Sequence, residues 1–112
     1  MNTMTDRQSV AANATVANVL SGKLHEFVTQ ESVVRVYGTA AAVGLFMSCL
    51  VGGESVVQDQ ELSAQNRMPI VPDDFVAEIG AVPGDRILVS LRNSTAAAII
   101  GFTRVEVEPT GG

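Results

Sequence analysis

Short runs of β-branched and aliphatic residues, separated by turn residues, constrain this chain more than any other feature. The clearest runs are residues 32–37, 75–79, 87–91 and 103–108. In the last run Val105 and Val107 alternate with charged residues, which is typical of a strand with one buried and one solvent-exposed face. β-Branched residues also favour strands over helices. The pattern therefore predicts a chain built from short β-strands.

Glycine, proline and asparagine indicate how these strands connect. Gly52-Gly53 is predicted to turn the apolar stretch 39–51 back into residues 55–58. Val82-Pro83-Gly84-Asp85 suits a type II turn, so residues 75–79 and 87–91 are predicted to form an antiparallel hairpin. The cluster 93–95 predicts a second hairpin into the last strand, with a bulge or bend at Gly101.

Together these signals predict an all-β fold, an antiparallel β-sandwich of seven or eight strands that resembles a jelly roll. Only residues 13–20 and 61–66 could be helical, too few for alternating strands and helices. Residues 1–14 are polar with no apolar period, so we expect a flexible N-terminal arm followed by one sandwich domain over residues 15–112. We further expect that deleting this arm leaves the fold intact and weakens assembly.

Charge and hydropathy exclude several classes of partner. The 112 residues carry 12 acidic and 7 basic side chains, a net charge of −5, which disfavours nucleic-acid binding. The longest apolar stretch, residues 39–51, is shorter than the roughly 20 residues of a membrane-spanning helix, and no secretory signal is visible. The single cysteine excludes an internal disulfide framework and a thiolate zinc site. We expect neither nucleic acid nor membrane as a partner.

The residues that could carry chemistry favour structural interpretations. His25 is the only histidine and is interpreted as a surface residue of a strand, while Cys49 lies in an apolar run and is interpreted as core. The acidic residues of the stretch 59–74 could bind a hard cation but are interpreted as solvated loop acids; they are Asp59, Glu61, Asp73 and Asp74. We therefore predict no catalytic residue, no metal and no cofactor.

Arginine outnumbers lysine six to one, a bias that fits an interface protein as well as a GC-rich genome. Arg67 and Arg92 are candidate contact residues on this basis. Tryptophan is absent and aromatic residues are only 4% of the chain, which argues against a stacking platform for sugars or bases.

The segment 51–92 contains VGGESVVQDQ, QNRMPIVPDDF and most of GAVPGDRILVSLRNST, which continues to residue 95. It resembles the small β-sandwich or jelly-roll proteins of bacteriophage virions, namely capsid decoration (cement) proteins and small capsid subunits. The resemblance implies a non-enzymatic protein of the virion, assembled in the host cytoplasm, that forms a trimer or higher oligomer and binds the capsid lattice. It also implies partner contacts by Arg7 of the arm and by the loop residues Gln65, Asn66 and Arg67.

Two other functions remain open at the level of sequence. A small ligand-binding β-module for carbohydrate or peptide would stay monomeric and bind its ligand saturably. An enzyme would need carboxylate chemistry, and loss of activity on Asp73→Ala or Asp74→Ala would support it. For the last strand we expect Val105→Asp to cost several kcal/mol, because it buries a charge. Glu106→Ala on the opposite face should change stability by no more than about 0.5 kcal/mol.

Overall fold

The computed structural model describes residues 2–20, 22, 26–65, 68–69 and 74–110. These residues form nine β-strands and no helix, so the all-β prediction is confirmed with a slightly higher strand count. Two of the nine, β2 and β6, contain only two residues each. The strands are β1 Asn2–Val10, β2 Thr15–Val16, β3 Ser32–Ala40, β4 Leu45–Val51, β5 Glu54–Glu61, β6 Ser63–Ala64, β7 Phe75–Ala81, β8 Ile87–Asn93 and β9 Ile99–Pro109.

The strands form two sheets that pack face to face as the predicted β-sandwich. The first, sheet A, has the order β1-β9-β3, and both β7 and β6 pair along the far side of β3. The second, sheet B, has the order β2-β8-β4-β5. Every pairing is antiparallel except the short β3–β6 contact.

The prediction of a flexible N-terminal arm is wrong for residues 2–10. They form β1, which pairs with β9 from Asn2 opposite Val107 to Val10 opposite Ile99. Of its inward-facing residues, Met4 and Val10 are buried whereas Asp6 and Gln8 are only half-buried. Because β1 lies at the rim of the sheet, two apolar side chains suffice there, and no apolar period appears in the sequence.

Of the predicted hairpins, only the one at Gly52-Gly53 is confirmed. These two glycines have φ of 60° and 85° and connect β4 to β5. The turn 82–85 instead leads from β7 in sheet A to β8 in sheet B, and residues 94–98 lead from β8 back to β9. The hairpins predicted at 82–85 and at 93–95 are therefore wrong. Turn residues fix a reversal of the chain, but they do not determine which sheet the next strand joins.

The core lies between the two sheets. Val34 and Val36 of β3 and Val105 of β9 face it from sheet A, and the prediction that Cys49 is a core residue is confirmed. No bulge occurs at Gly101, where the sheets approach closely: a Cβ on this glycine would lie 2.7 Å from Leu91 Cδ1. Within the described residues, no helix is long and apolar enough to cross a membrane.

Candidate interaction surfaces

On the outer face of sheet A, ion pairs connect neighbouring strands. Arg35 of β3 donates from Nε to Glu78 Oε2 at 2.7 Å and from Nη1 to Glu108 Oε2 at 2.6 Å. These bonds raise the pKa of the Arg35 guanidinium and lower that of the Glu108 carboxyl. On the same face Arg104 Nε donates to Glu106 Oε2 at 3.0 Å. The charges here satisfy one another, so desolvating this face would be costly.

Glu106 departs from the expected alternation of buried and exposed residues along β9. It is only 5% exposed, although its side chain points away from the core between the sheets. Tyr37 donates its hydroxyl to Glu106 Oε1 at 3.4 Å, in addition to the bond from Arg104. Burial raises the pKa of Tyr37, and the neighbouring Glu106 charge raises it further. The prediction of a solvent-exposed Glu106 is therefore wrong.

The outer face of sheet B has the opposite character. Leu50 of β4 lies opposite Leu88 of β8, and the next pair along the strands is Ser48 opposite Ser90. Phe46 continues the row beyond the serines. All five side chains are half-buried. We call these residues the sheet B face; they are Phe46, Ser48, Leu50, Leu88 and Ser90.

Arg92, a predicted contact residue, borders the sheet B face. Its guanidinium carbon lies 4.6 Å from the centre of the Phe46 ring, a cation–π geometry. Its Nε and Nη2 lie 3.2 Å and 3.3 Å from the two carboxylate oxygens of Asp59. Asp59 has a left-handed φ of 49°, and its backbone N–H donates to Ser48 Oγ at 3.0 Å. Arg92 is thus held flat against the face while its side chain stays 43% exposed.

Arg7 lies on the other sheet. It projects from the outer face of β1, with its guanidinium carbon 5.8 Å from the centre of the Phe102 ring. Its neighbours on that face of β1 are all exposed and polar; they are Thr3, Thr5 and Ser9. Among the described strands only β9 pairs with β1, so the second row of backbone N–H and C=O groups on β1 points outward.

Gln65 lines a cleft of about 330 Å³ between the β5–β6 segment and the start of β7. Its Nε2 donates to Ser63 Oγ at 2.7 Å. Glu61, Asp74 and Phe75 also border the cleft. The predicted contact residues Asn66 and Arg67 lie outside the described residues, so their relation to this cleft stays a prediction.

The structure separates the remaining candidates. Asp59 binds Arg92 beside the sheet B face, whereas Glu61 and Asp74 line the cleft. His25 and Asp73 lie outside the described residues. In the described part of the chain, no three His, Cys, Asp or Glu side chains are placed to hold a metal ion.

Sequence reasoning missed most of the sheet B face. Leu88 was a visible signal, because it interrupts the polar side of β8. Phe46 and Leu50 are hidden within the continuous apolar stretch 39–51, where period two cannot separate an inner from an outer face.

The sequence matches no family model, no curated protein and no solved structure.

Proposed function

We propose that this protein is a non-enzymatic structural component of a bacteriophage particle. It acts as a capsid decoration (cement) protein or a small capsid subunit, and it stabilises the shell by oligomerising and binding the capsid lattice. The virion is therefore its proposed location. The observation that carries the proposal is the sheet B face, an apolar surface on the outside of a two-layer sandwich.

The physical case rests on the difference between the two outer faces. The sheet B face places Phe46, Leu50 and Leu88 around two serines, so covering it removes apolar surface from water at little cost in polar groups. Arg92 at its border is already stacked and paired, and therefore loses little side-chain entropy on contact. An apolar centre with an arginine at its border is typical of a protein interface.

The test is the oligomeric state of the purified protein, measured by light scattering coupled to size exclusion, with negative-stain microscopy of any large fraction. We expect a trimer or a larger assembly. Leu88→Lys should shift it towards the monomer, because the ammonium must be desolvated in the contact. Val43→Lys is the matched control, since Val43 is 69% exposed in the loop between β3 and β4 and is not a residue of this face. A monomer at every concentration, or equal effects of the two variants, would contradict the proposal.

A ligand-binding module for carbohydrate or peptide is the second candidate, and the cleft beside β7 favours it. Its volume of about 330 Å³ lies at the lower end of the range of ligand pockets. Phe75, an exposed aromatic residue, stands at its border. We would titrate the protein with a panel of oligosaccharides and short extended peptides and follow the Phe75 ring by NMR. Saturable shifts that Phe75→Ala abolishes in a monomeric protein would favour this function.

A further inference from the structure

Sheet A has two edges whose strands run in opposite directions. β1 is antiparallel to β9, β9 to β3, and β3 to β7, so β7 runs against β1. A second copy of the chain, placed beside β7 in the same orientation, would therefore present its β1 antiparallel to β7. Antiparallel addition of an extended strand to a sheet edge is a common mode of protein recognition.

The charges of β1 disfavour pairing with the β1 of another copy. The symmetric register that pairs all nine residues places Asp6 opposite Asp6. A register centred on Arg7 places two arginines opposite each other, and like charges in that position are destabilising. A register centred on Thr5 avoids both contacts but sets Arg7 opposite Thr3. None of these registers gives Arg7 a carboxylate.

The β7 edge offers Arg7 a carboxylate on the matching face. Glu78 lies on the outer face of sheet A, as Arg7 does, and its side chain is half-exposed. Its carboxylate accepts from Arg35 at 2.7 Å and has lone pairs for a second donor. Setting Arg7 opposite Glu78 places Thr5 opposite Gly80. A Cβ at Gly80 would meet no atom within 4 Å, so there is room for the threonine side chain.

The remaining long edge strand, β5, is a poorer partner. It is acidic, but its pairing with β4 shifts register twice, and Asp59 adopts a left-handed conformation. Bulged, twisted edges of this kind resist the addition of a further strand.

We propose that β1 of one copy adds antiparallel to β7 of a second copy, along the edge that no described strand pairs with, and that Arg7 lies opposite Glu78. This inference rests on the oligomerisation proposed above and adds to it a second contact, between the edges of sheet A, beside the one at the sheet B face. The two surfaces differ, so the association is head-to-tail. A rotation axis parallel to the strands preserves their direction and keeps every outer face on the same side. The contact generates a closed ring where the rotation between copies closes, and an open filament where it does not.

The test is disulfide trapping between two single-cysteine variants. Directly opposite residues of an antiparallel pair lie within the Cα separation that a disulfide spans. We would purify Arg7→Cys and Glu78→Cys separately, mix them with oxidised glutathione, and quantify the covalent dimer on a non-reducing gel. Cys49 is buried and does not compete. We expect several-fold more dimer in the mixture than in either variant alone.

Glu54→Cys replaces Glu78→Cys in the control mixture, because Glu54 is an exposed glutamate on the β5 edge. If Glu78→Cys fails to fold after Arg35 loses one of its two carboxylate partners, Thr5→Cys with Gly80→Cys tests the same register. Trapping no better than the control, in a protein whose oligomer is still sensitive to Leu88→Lys, would overturn this contact and leave the assembly role standing. A monomeric protein without trapping would overturn both.

Discussion

At the scale of single residues, Glu106 shows how a charged side chain becomes part of a folded interior. The alternation in 103–108 indicates which residues share a face, but not whether a further layer of side chains covers that face. Tyr37 and Arg104 provide this cover, one from the adjacent strand and one from β9 itself. Tyr37 reaches Glu106 through the pairing of β3 with β9, which a single sequence does not encode locally.

We expect Glu106→Ala to destabilise the protein by about 1–3 kcal/mol, because the Tyr37 hydroxyl and the Arg104 guanidinium both lose an acceptor at a buried position. The measurement is urea denaturation followed by circular dichroism. Glu54→Ala, at an exposed position on β5, should change the free energy of unfolding by no more than about 0.5 kcal/mol. Equal small losses in the two variants would mean that the bonds to Glu106 contribute nothing net.

The buried thiol of Cys49 makes the free energy of unfolding fall as pH becomes alkaline. Burial raises the pKa of its thiol from the ordinary value of 9.0 to about 11. Between these values the unfolded chain releases the thiol proton while the folded chain keeps it, so stability falls as pH rises through this window. We expect the free energy of unfolding to fall more steeply between pH 9 and 11 in the natural chain than in Cys49→Ala. Parallel slopes would show that the thiol stays protonated in both states or ionises in both.

At the scale of elements, β1 is an integral strand, so we now expect its removal to destabilise the fold. The register of β1 predicts that a charge introduced at one residue destabilises the fold far more than the same charge at the next residue. Met4 lies opposite Val105 and is 6% exposed, whereas Thr5 is exposed on the outer face. Met4→Lys must bury an ammonium or detach the strand, and should cost several kcal/mol.

Thr5→Lys adds the same charge on the outer face and should change the free energy of unfolding by no more than about 0.5 kcal/mol. The comparison is made by thermal denaturation at a concentration where the protein is monomeric. Similar melting temperatures for Met4→Lys and Thr5→Lys would mean that β1 is detached from β9 in solution.

Individual strands were easier to predict than their partners. Period two located β3, β8 and β9, and Gly52-Gly53 located the β4–β5 hairpin. The sequence pattern did not reveal that the 82–85 turn connects a strand of sheet A to a strand of sheet B. A chain that reverses at this turn can place its next strand in either sheet. Nor did the pattern reveal β1, since a rim strand needs few apolar residues.

At the scale of the whole molecule, the outer face of sheet A carries ion pairs, whereas the outer face of sheet B carries the apolar side chains of Phe46, Leu50 and Leu88. Arg92 could be nominated from sequence because arginine is favoured at interfaces. Its partners could not, since Phe46 and Asp59 lie on two other strands and reach Arg92 only after β4, β5 and β8 have assembled. Candidate surfaces of this kind depend on tertiary pairing, whereas fold class depends on local pattern.

The pairing of the first strand with the last also governs how the protein is made. Among the described strands β1 is translated before all the others, and its partner β9 is translated after them. Sheet A therefore cannot be completed before β9 has left the ribosome. Until β1 pairs with β9, its polar residues Thr3, Thr5 and Arg7 keep it hydrated. Because this pairing joins residues far apart in the sequence, we expect folding to be slow relative to a helical domain of similar size.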